Sequence, residues 1–344
     1  MTRPDGEVGQ QACGDRTATS LPLVIGLVNN MPDAEFWMTE VQFRILLYAA
    51  MPQGAALEIR RFTVPGVPRS AKIKAEIAER YEDIDALWSS RIDGLIVTGL
   101  EPRAASLKDE PYWPTLVDLV DWAAEHTRSA IWSCLAAHAA VLHLDGIERQ
   151  PYSEKLLGLF ACEKTLGLKT LSAMPPRWAF PHSRYNGLAT EKLRAHGYRI
   201  LSSSYATGAD IFEKHGHSRF LFLQGHPEYD AAALLREYRR DVRRFLDGKR
   251  ESYPNMPAGY FGSDDETDFA DFRQQALQSR SPEMFGRFPE VSESSLAWHW
   301  HEPAIQFYND WLCHLIAAQF SSRGAYLPRR MWSQIRREGL HADP

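Results

Sequence analysis

Short, almost purely apolar runs recur along this chain, each followed by a longer amphipathic stretch, and few folds accommodate that alternation. Leu21-Pro-Leu-Val-Ile-Gly-Leu-Val28 reads as a strand buried on both faces, followed by a helix over 33–50 carrying Phe36, Val41, Phe43, Leu46 and Leu47. The segment 57–64 is strand-like, 94–98 is a second buried strand and 113–126 an amphipathic helix. Ser129–Ser133 is again a strand, and 135–144 a helix built of small residues. Strands alternating with helices predict an α/β fold with a doubly wound, mostly parallel sheet.

The second half is less regular. Strands are expected at 157–161, 198–203 and 219–223, and a helix over 230–246 with Leu234, Leu235, Tyr238, Val242 and Phe245 on its apolar side. Residues 251–297 are rich in Pro, Gly, Ser, Asp and Glu, so 264–297 is expected to be an irregular, peripheral insertion. A strong helix returns at 302–320, with Ile305, Tyr308, Trp311, Leu312, Leu315 and Ile316 on one face. One domain over 21–322 with a C-terminal helical appendage fits this pattern, flanked by a flexible tail at 1–20 and another at 323–344.

Composition narrows the partners. A formal charge of -5 gives no basic footprint for nucleic acid, and the arginines at 239, 240, 243 and 244 share their helix with Glu237 and Asp241, as on a solvated face. No apolar run approaches the roughly 20 residues that span a bilayer. Cys13, Cys134, Cys162 and Cys313 lack paired spacing, which suits free thiols in a reducing, cytoplasmic setting.

In an open parallel sheet, reactive groups collect beyond the carboxyl ends of strands. Two segments fit. In Ile131-Trp-Ser-Cys134-Leu-Ala-Ala-His-Ala-Ala140 a strand ends in a cysteine that opens an alanine-rich helix, whose N-terminal partial charge favours a thiolate. In Phe222-Leu-Gln-Gly-His226-Pro-Glu228-Tyr-Asp230 a strand runs into a histidine able to take the thiol proton and a carboxylate able to orient it. Taken alone, Cys134 could equally be a packed core thiol and Glu228 a helix cap. Together they favour a Cys-His-Glu triad of Cys134, His226 and Glu228. No GxSxG elbow, phosphate loop or GxGxxG follows a strand, and His215-Gly-His217 and His299-Trp-His301 lack partners at metal-ligand spacing. No metal is expected. His138 and Cys162 read as packed residues.

At these two segments the sequence resembles the homoserine O-succinyltransferase/O-acetyltransferase family, whose fold is flavodoxin-like and related to the class I glutamine amidotransferases. The similarity runs from Gly26 to Tyr260 and resumes over 300–312. Its landmarks include Asn30-Met-Pro32, Asp93-Gly-Leu-Ile-Val-Thr-Gly99, Glu154-Lys-Leu156, Pro181-His-Ser-Arg-Tyr185 and Gly225-His-Pro-Glu-Tyr-Asp230. The resemblance implies that Cys134 is the acyl-thioester nucleophile, His226 the proton acceptor and Glu228 the third triad member. It implies that Lys155, Ser183 and Arg240 contact substrate, and that Arg103 tunes the choice of acyl donor. It further implies L-homoserine and an acyl-CoA, succinyl-CoA or acetyl-CoA, as small-molecule substrates, with no bound cofactor and a homodimeric assembly. The sequence departs from the family at Leu135-Ala136 and His138, where Trp-Gly or Trp-Ala and a glutamine are usual. It departs again at Arg103, where glycine or glutamate is usual. Another hydroxy amino acid, such as serine, as acceptor and a glutamine amidotransferase-like hydrolase are the alternatives left open.

Overall fold

The computed structural model describes residues 21–165, 171, 173–296 and 298–321; the expected tails at 1–20 and 323–344, with Cys13, lie outside the described residues. In chain order the first elements are β1 (Leu23–Val28), α1 (Phe36–Ala50), β2 (Leu57–Phe62), α2 (Ala71–Arg80), α3 (Ile84–Trp88), β3 (Gly94–Val97), α4 (Trp113–His126), β4 (Ser129–Ser133) and α5 (Leu135–Asp145). There follow β5 (Gln150–Lys164), β6 (Arg177–Gly187), α6 (Thr190–Ala195), β7 (Arg199–Ser204), β8 (Gly208–His215) and β9 (Arg219–Leu223). The helices α7 (Ala233–Leu246), α8 (Ser263–Gln278) and α9 (His301–Ser321) complete the order.

The nine strands of the described residues join one sheet in the order β2-β1-β3-β4-β9-β8-β7-β5-β6. The half from β2 to β9 is parallel, and the half from β9 to β6 is antiparallel. The doubly wound expectation holds because alternate side chains of the central strands enter two separate cores. Ile96, Ile131, Leu221 and Leu223 pack with α1, α7 and α9, whereas Leu95, Val97, Ala130, Trp132, Phe220 and Phe222 pack with α4 and α5. Ala136, Ala137, Ala139 and Ala140 are all buried, so α5 can lie close against the sheet. The expected C-terminal helix is present and docks firmly on the domain: Trp311 Nε1 donates to Ser129 Oγ at 3.0 Å and Asn309 Nδ2 to the Ala50 carbonyl at 2.8 Å. Among the described residues no helix is long and apolar enough to cross a membrane.

The segment expected to be irregular and peripheral is helical over its first half and packs into the core. Residues 263–278 form α8, and Phe269, Phe272 and Ala276 on it are buried in the larger core, together with Phe288 and Leu296 beyond it. The apolar stripe has helical spacing but is only three residues wide in an otherwise polar run, too thin for periodicity to register. The arginine run on α7 is also only partly solvated. Arg239 and Arg243 lie over the Phe285 ring, and Arg240 turns inward.

Phe269 is packed against Tyr238, Phe261 and Phe288 at ring separations of 5.4, 4.7 and 5.3 Å. Phe269→Ala should therefore cost about 3–5 kcal/mol, read as a lower urea midpoint at unchanged slope. Deleting 263–296 should abolish cooperative unfolding. A deletion variant that unfolds with the wild-type midpoint would show that the segment is peripheral after all.

Candidate active site

The turn between β4 and α5 is tightly constrained. Cys134 occupies it with φ 51° and ψ −112°, a left-handed conformation that costs a non-glycine residue on the order of 1–3 kcal/mol. The turn is held from both sides. The Cys134 amide donates to the Leu223 carbonyl at the end of β9 at 2.7 Å, and the Cys134 carbonyl accepts the first helical amides of α5, from Ala137 and His138. The strain lifts the thiol out of the sheet, leaving it partly exposed, while Cys162 and Cys313 are buried. Gly99, at the end of the neighbouring β3, comes so close that a methyl group on it would lie 3.1 Å from the Leu135 amide nitrogen.

One strand along, β9 leads into His226. Its backbone amide donates to the Pro181 carbonyl of β6 at 2.7 Å. Its ring Nδ1 meets Glu228 Oε1 at 2.8 Å, which directs Nε2 away from the carboxylate. Tyr229 stacks on the ring at 4.3 Å. Burial disfavours the imidazolium, but the Glu228 carboxylate and the Cys134 sulfur, acting as charge and hydrogen-bond partners, outweigh it and hold the pKa well above its ordinary value. His226 is thus poised to stay charged between the Glu228 carboxylate and the Cys134 sulfur.

A pocket opens on these groups. Cys134, His226, Lys155, Ser183 and Arg240 all line it, while Glu228 sits behind His226 and braces it. Two residues that sequence reasoning passed over organise the rest. Glu237 accepts from Lys155 Nζ at 3.0 Å, from the Ser183 hydroxyl and from the Tyr229 hydroxyl at 2.6 Å. Glu35 accepts from Arg240 at 2.6 Å. Asp241 takes a second bond from Lys155 at 3.0 Å. Burial would raise the Glu237 carboxyl, yet Lys155, Arg240, Ser183 and Tyr229 overcome it and hold it at about 2. The spacing of Glu237, Arg240 and Asp241 on one helical face was the available signal.

Arg103 is not brought into this pocket. Buried Glu110 accepts from the amides of Arg103 and, at 2.6 Å, Ala104, which fixes the turn by its backbone and leaves the guanidinium exposed. Arg103 instead lines an adjoining cavity with Asn30, Val67 and Pro68.

Beneath the His226 loop lies a second buried cluster of Cys162, His182 and Asp210, with ligand atoms close enough to hold a metal ion. Its hydrogen bonding speaks against that use. Arg184 Nε donates to His182 Nδ1 at 3.2 Å, which keeps the ring proton on Nε2, facing Asp210 Oδ1 at 3.3 Å. A protonated ring nitrogen donates and does not ligate. A Cβ on Gly225 would meet both of those atoms at 3.1 Å, so glycine is needed for the chain to pass over the pair on its way to His226. Burial pushes the Cys162 thiol well up, which suits an inert core thiol. His138 is buried with Nε2 against Gln224 Oε1 at 3.0 Å, a packed residue at the edge of the pocket.

Comparison with known proteins adds an independent line. The model of the family described as homoserine O-succinyltransferase matches residues 12–322. The homoserine O-succinyltransferase of Rhodopseudomonas palustris is 49% identical over 278 residues, covering 81% of this chain and 83% of that one. The Bradyrhizobium japonicum enzyme of the same name is 46% identical over 282 residues, covering 82% and 87%. Among solved structures, a glutamine amidotransferase from Methylobacillus flagellatus overlays with a TM-score of 0.47 at 14% identity, covering 85% of this chain and 94% of that one. The family match takes in every strand of the sheet and both halves of the site: this chain belongs to the homoserine O-succinyltransferase family.

Proposed function

We propose that this protein transfers an acyl group from a CoA thioester to the side-chain hydroxyl of L-homoserine, a step of methionine biosynthesis, with Cys134 carrying the acyl group between the two. The observation that bears most weight is the pairing of a strained, partly exposed Cys134 with a buried His226 whose charge is supported by both Glu228 and that same sulfur. Family membership supports the substrates.

In the first half-reaction the one proton shared by Cys134 and His226 rests on His226 Nε2, and the Cys134 sulfur attacks the thioester carbonyl as the thiolate. The oxyanion finds amide donors at Leu135 and in the Gly99–Leu100 turn. The C–S bond to CoA then breaks, and the imidazolium returns its proton to the departing thiolate. One thioester replaces another, so this step is nearly balanced. In the second half-reaction His226 takes the homoserine hydroxyl proton, the alkoxide attacks the Cys134 thioester, and the thiolate leaves. An oxygen ester forms and the step runs downhill. Glu228 keeps Nδ1–H in place throughout. Lys155 and Arg240 suit the amino acid carboxylate, Glu35 and Glu237 its ammonium group, and Ser183 hydrogen bonds beside them. Arg103, on the adjoining cavity, suits the anionic CoA portion of the donor. On this reading acyl-CoA is a co-substrate rather than a resident cofactor, the enzyme works in the cytoplasm, and a homodimer is the expected assembly.

Intact-protein mass spectrometry after exposure to acyl-CoA without homoserine should find one acyl group, mapped to Cys134. Cys134→Ser should abolish turnover, and initial rates at several fixed homoserine concentrations should give parallel lines. Intersecting lines with no acyl-protein would mean direct transfer, and ammonia release from glutamine would favour the hydrolase.

Gly99→Ala would set a methyl group 3.1 Å from the Leu135 amide. If that amide receives the oxyanion, kcat should fall by about 10²–10³-fold with little change in the homoserine KM. A wild-type kcat would remove Leu135 from the oxyanion site.

A further inference from the structure

The charges lining the pocket divide into two groups. Lys155 and Arg240 are already engaged by Glu35, Glu237 and Asp241. The other two pocket arginines, Arg149 and Arg184, form no ion pair among the described residues. Arg184 is buried and donates only to neutral groups: His182 Nδ1, the Tyr152 hydroxyl and the carbonyls of Asn186 and Thr207. Arg149 follows α5, is half-buried, and makes no hydrogen bond or ion pair with any of the described residues. Both guanidiniums bear on His138, one turn past Cys134. Burial, then Arg184 and Arg149, push that imidazole down to about 3. The Cys134 side of the pocket therefore carries two guanidiniums that form no ion pair with any of the described residues. A half-desolvated guanidinium is costly unless an anion joins it, and its planar fork matches a carboxylate.

We infer that Arg149, reinforced by Arg184, receives the free carboxylate of a dicarboxylic acyl group, so that Arg149 rather than Arg103 selects succinyl-CoA over acetyl-CoA. This rests on the acyl-transfer reading above and adds the residue that fixes the donor. An acetyl group would leave both charges unanswered. The phosphates of CoA are the other anions within the donor, and because both donors carry them, comparison of the two separates the sources.

The test is kcat/KM for succinyl-CoA and for acetyl-CoA in wild type, Arg149→Met, Arg149→Lys and Arg103→Ala, with acyl-protein measured in parallel by mass spectrometry. The succinyl-to-acetyl ratio should exceed one in wild type and fall about ten-fold or more in Arg149→Met. Arg149→Lys should recover part of it, and Arg103→Ala should lower both donors together. The acetyl-CoA rate reports whether Arg149→Met is folded. An unchanged ratio, an equal loss with both donors, or a ratio that moves with Arg103 instead would overturn the assignment. Absence of any Cys134 thioester in wild type would sink the acyl-transfer reading itself, a separate outcome from thioester forming equally well from either donor.

Discussion

The site depends on one backbone hydrogen bond, from the Cys134 amide to the Leu223 carbonyl at 2.7 Å. It extends the parallel pairing of β4 with β9, in which Ser133 lies beside Leu223, and so fixes the Cys134 thiol and the His226 imidazole on adjacent strand ends. A one-residue slip in that register would turn every core side chain of β9 to the wrong face, which is why the pairing is so firmly specified. The same strand divides the sheet. On its other side β8 begins the antiparallel half, where the Asp210 carbonyl accepts the Gln224 amide and the Pro181 carbonyl accepts the His226 amide. The parallel half presents the thiol, and the antiparallel half aims the imidazole at it.

Electrostatics joins this frame to the pocket. Tyr229 stacks on His226 and donates its hydroxyl to Glu237, so the proposed triad and the Lys155–Glu237–Arg240–Asp241 network share a wall. The two systems are shifted in opposite senses. Glu237 is held far below the carboxylate range, so its contribution to stability is present above that range and lost as pH falls toward about 2. His226 is held above its ordinary value, so its contribution is full at low pH and lost only as pH rises through the raised value. Near neutrality both are charged, and the pocket is lined by fixed carboxylates and fixed cations, the complement that the proposed zwitterionic substrate calls for.

Much of this was legible in the sequence where burial is simple. Strands β1, β3, β4 and β9 are covered on both faces and read as continuous apolar runs. Cys134, His226 and Glu228 stood out because they follow such runs directly. Strand β6 did not register, because its interior is polar: His182 and Arg184 are buried against Asp210, Tyr152 and backbone carbonyls, which erases alternation. Helix α8 hid behind a stripe of three apolar residues. Lys155, Ser183 and Arg240 were reached only through the family resemblance. Glu237 and Arg149 were missed because a charged side chain reads as solvated until the fold shows which pocket it lines.

The central claim is that Cys134 and His226 act as one charged pair steadied by Glu228. The most direct measurement is an NMR pH titration of the His226 ring nitrogens in wild type and in Cys134→Ala. The account predicts that the wild-type ring remains doubly protonated well above pH 6.5, with its Nδ1 proton held in a strong hydrogen bond to Glu228, and that removing the sulfur lowers the titration. A wild-type ring that is neutral by pH 6.5, or a midpoint indifferent to the loss of Cys134, would contradict it.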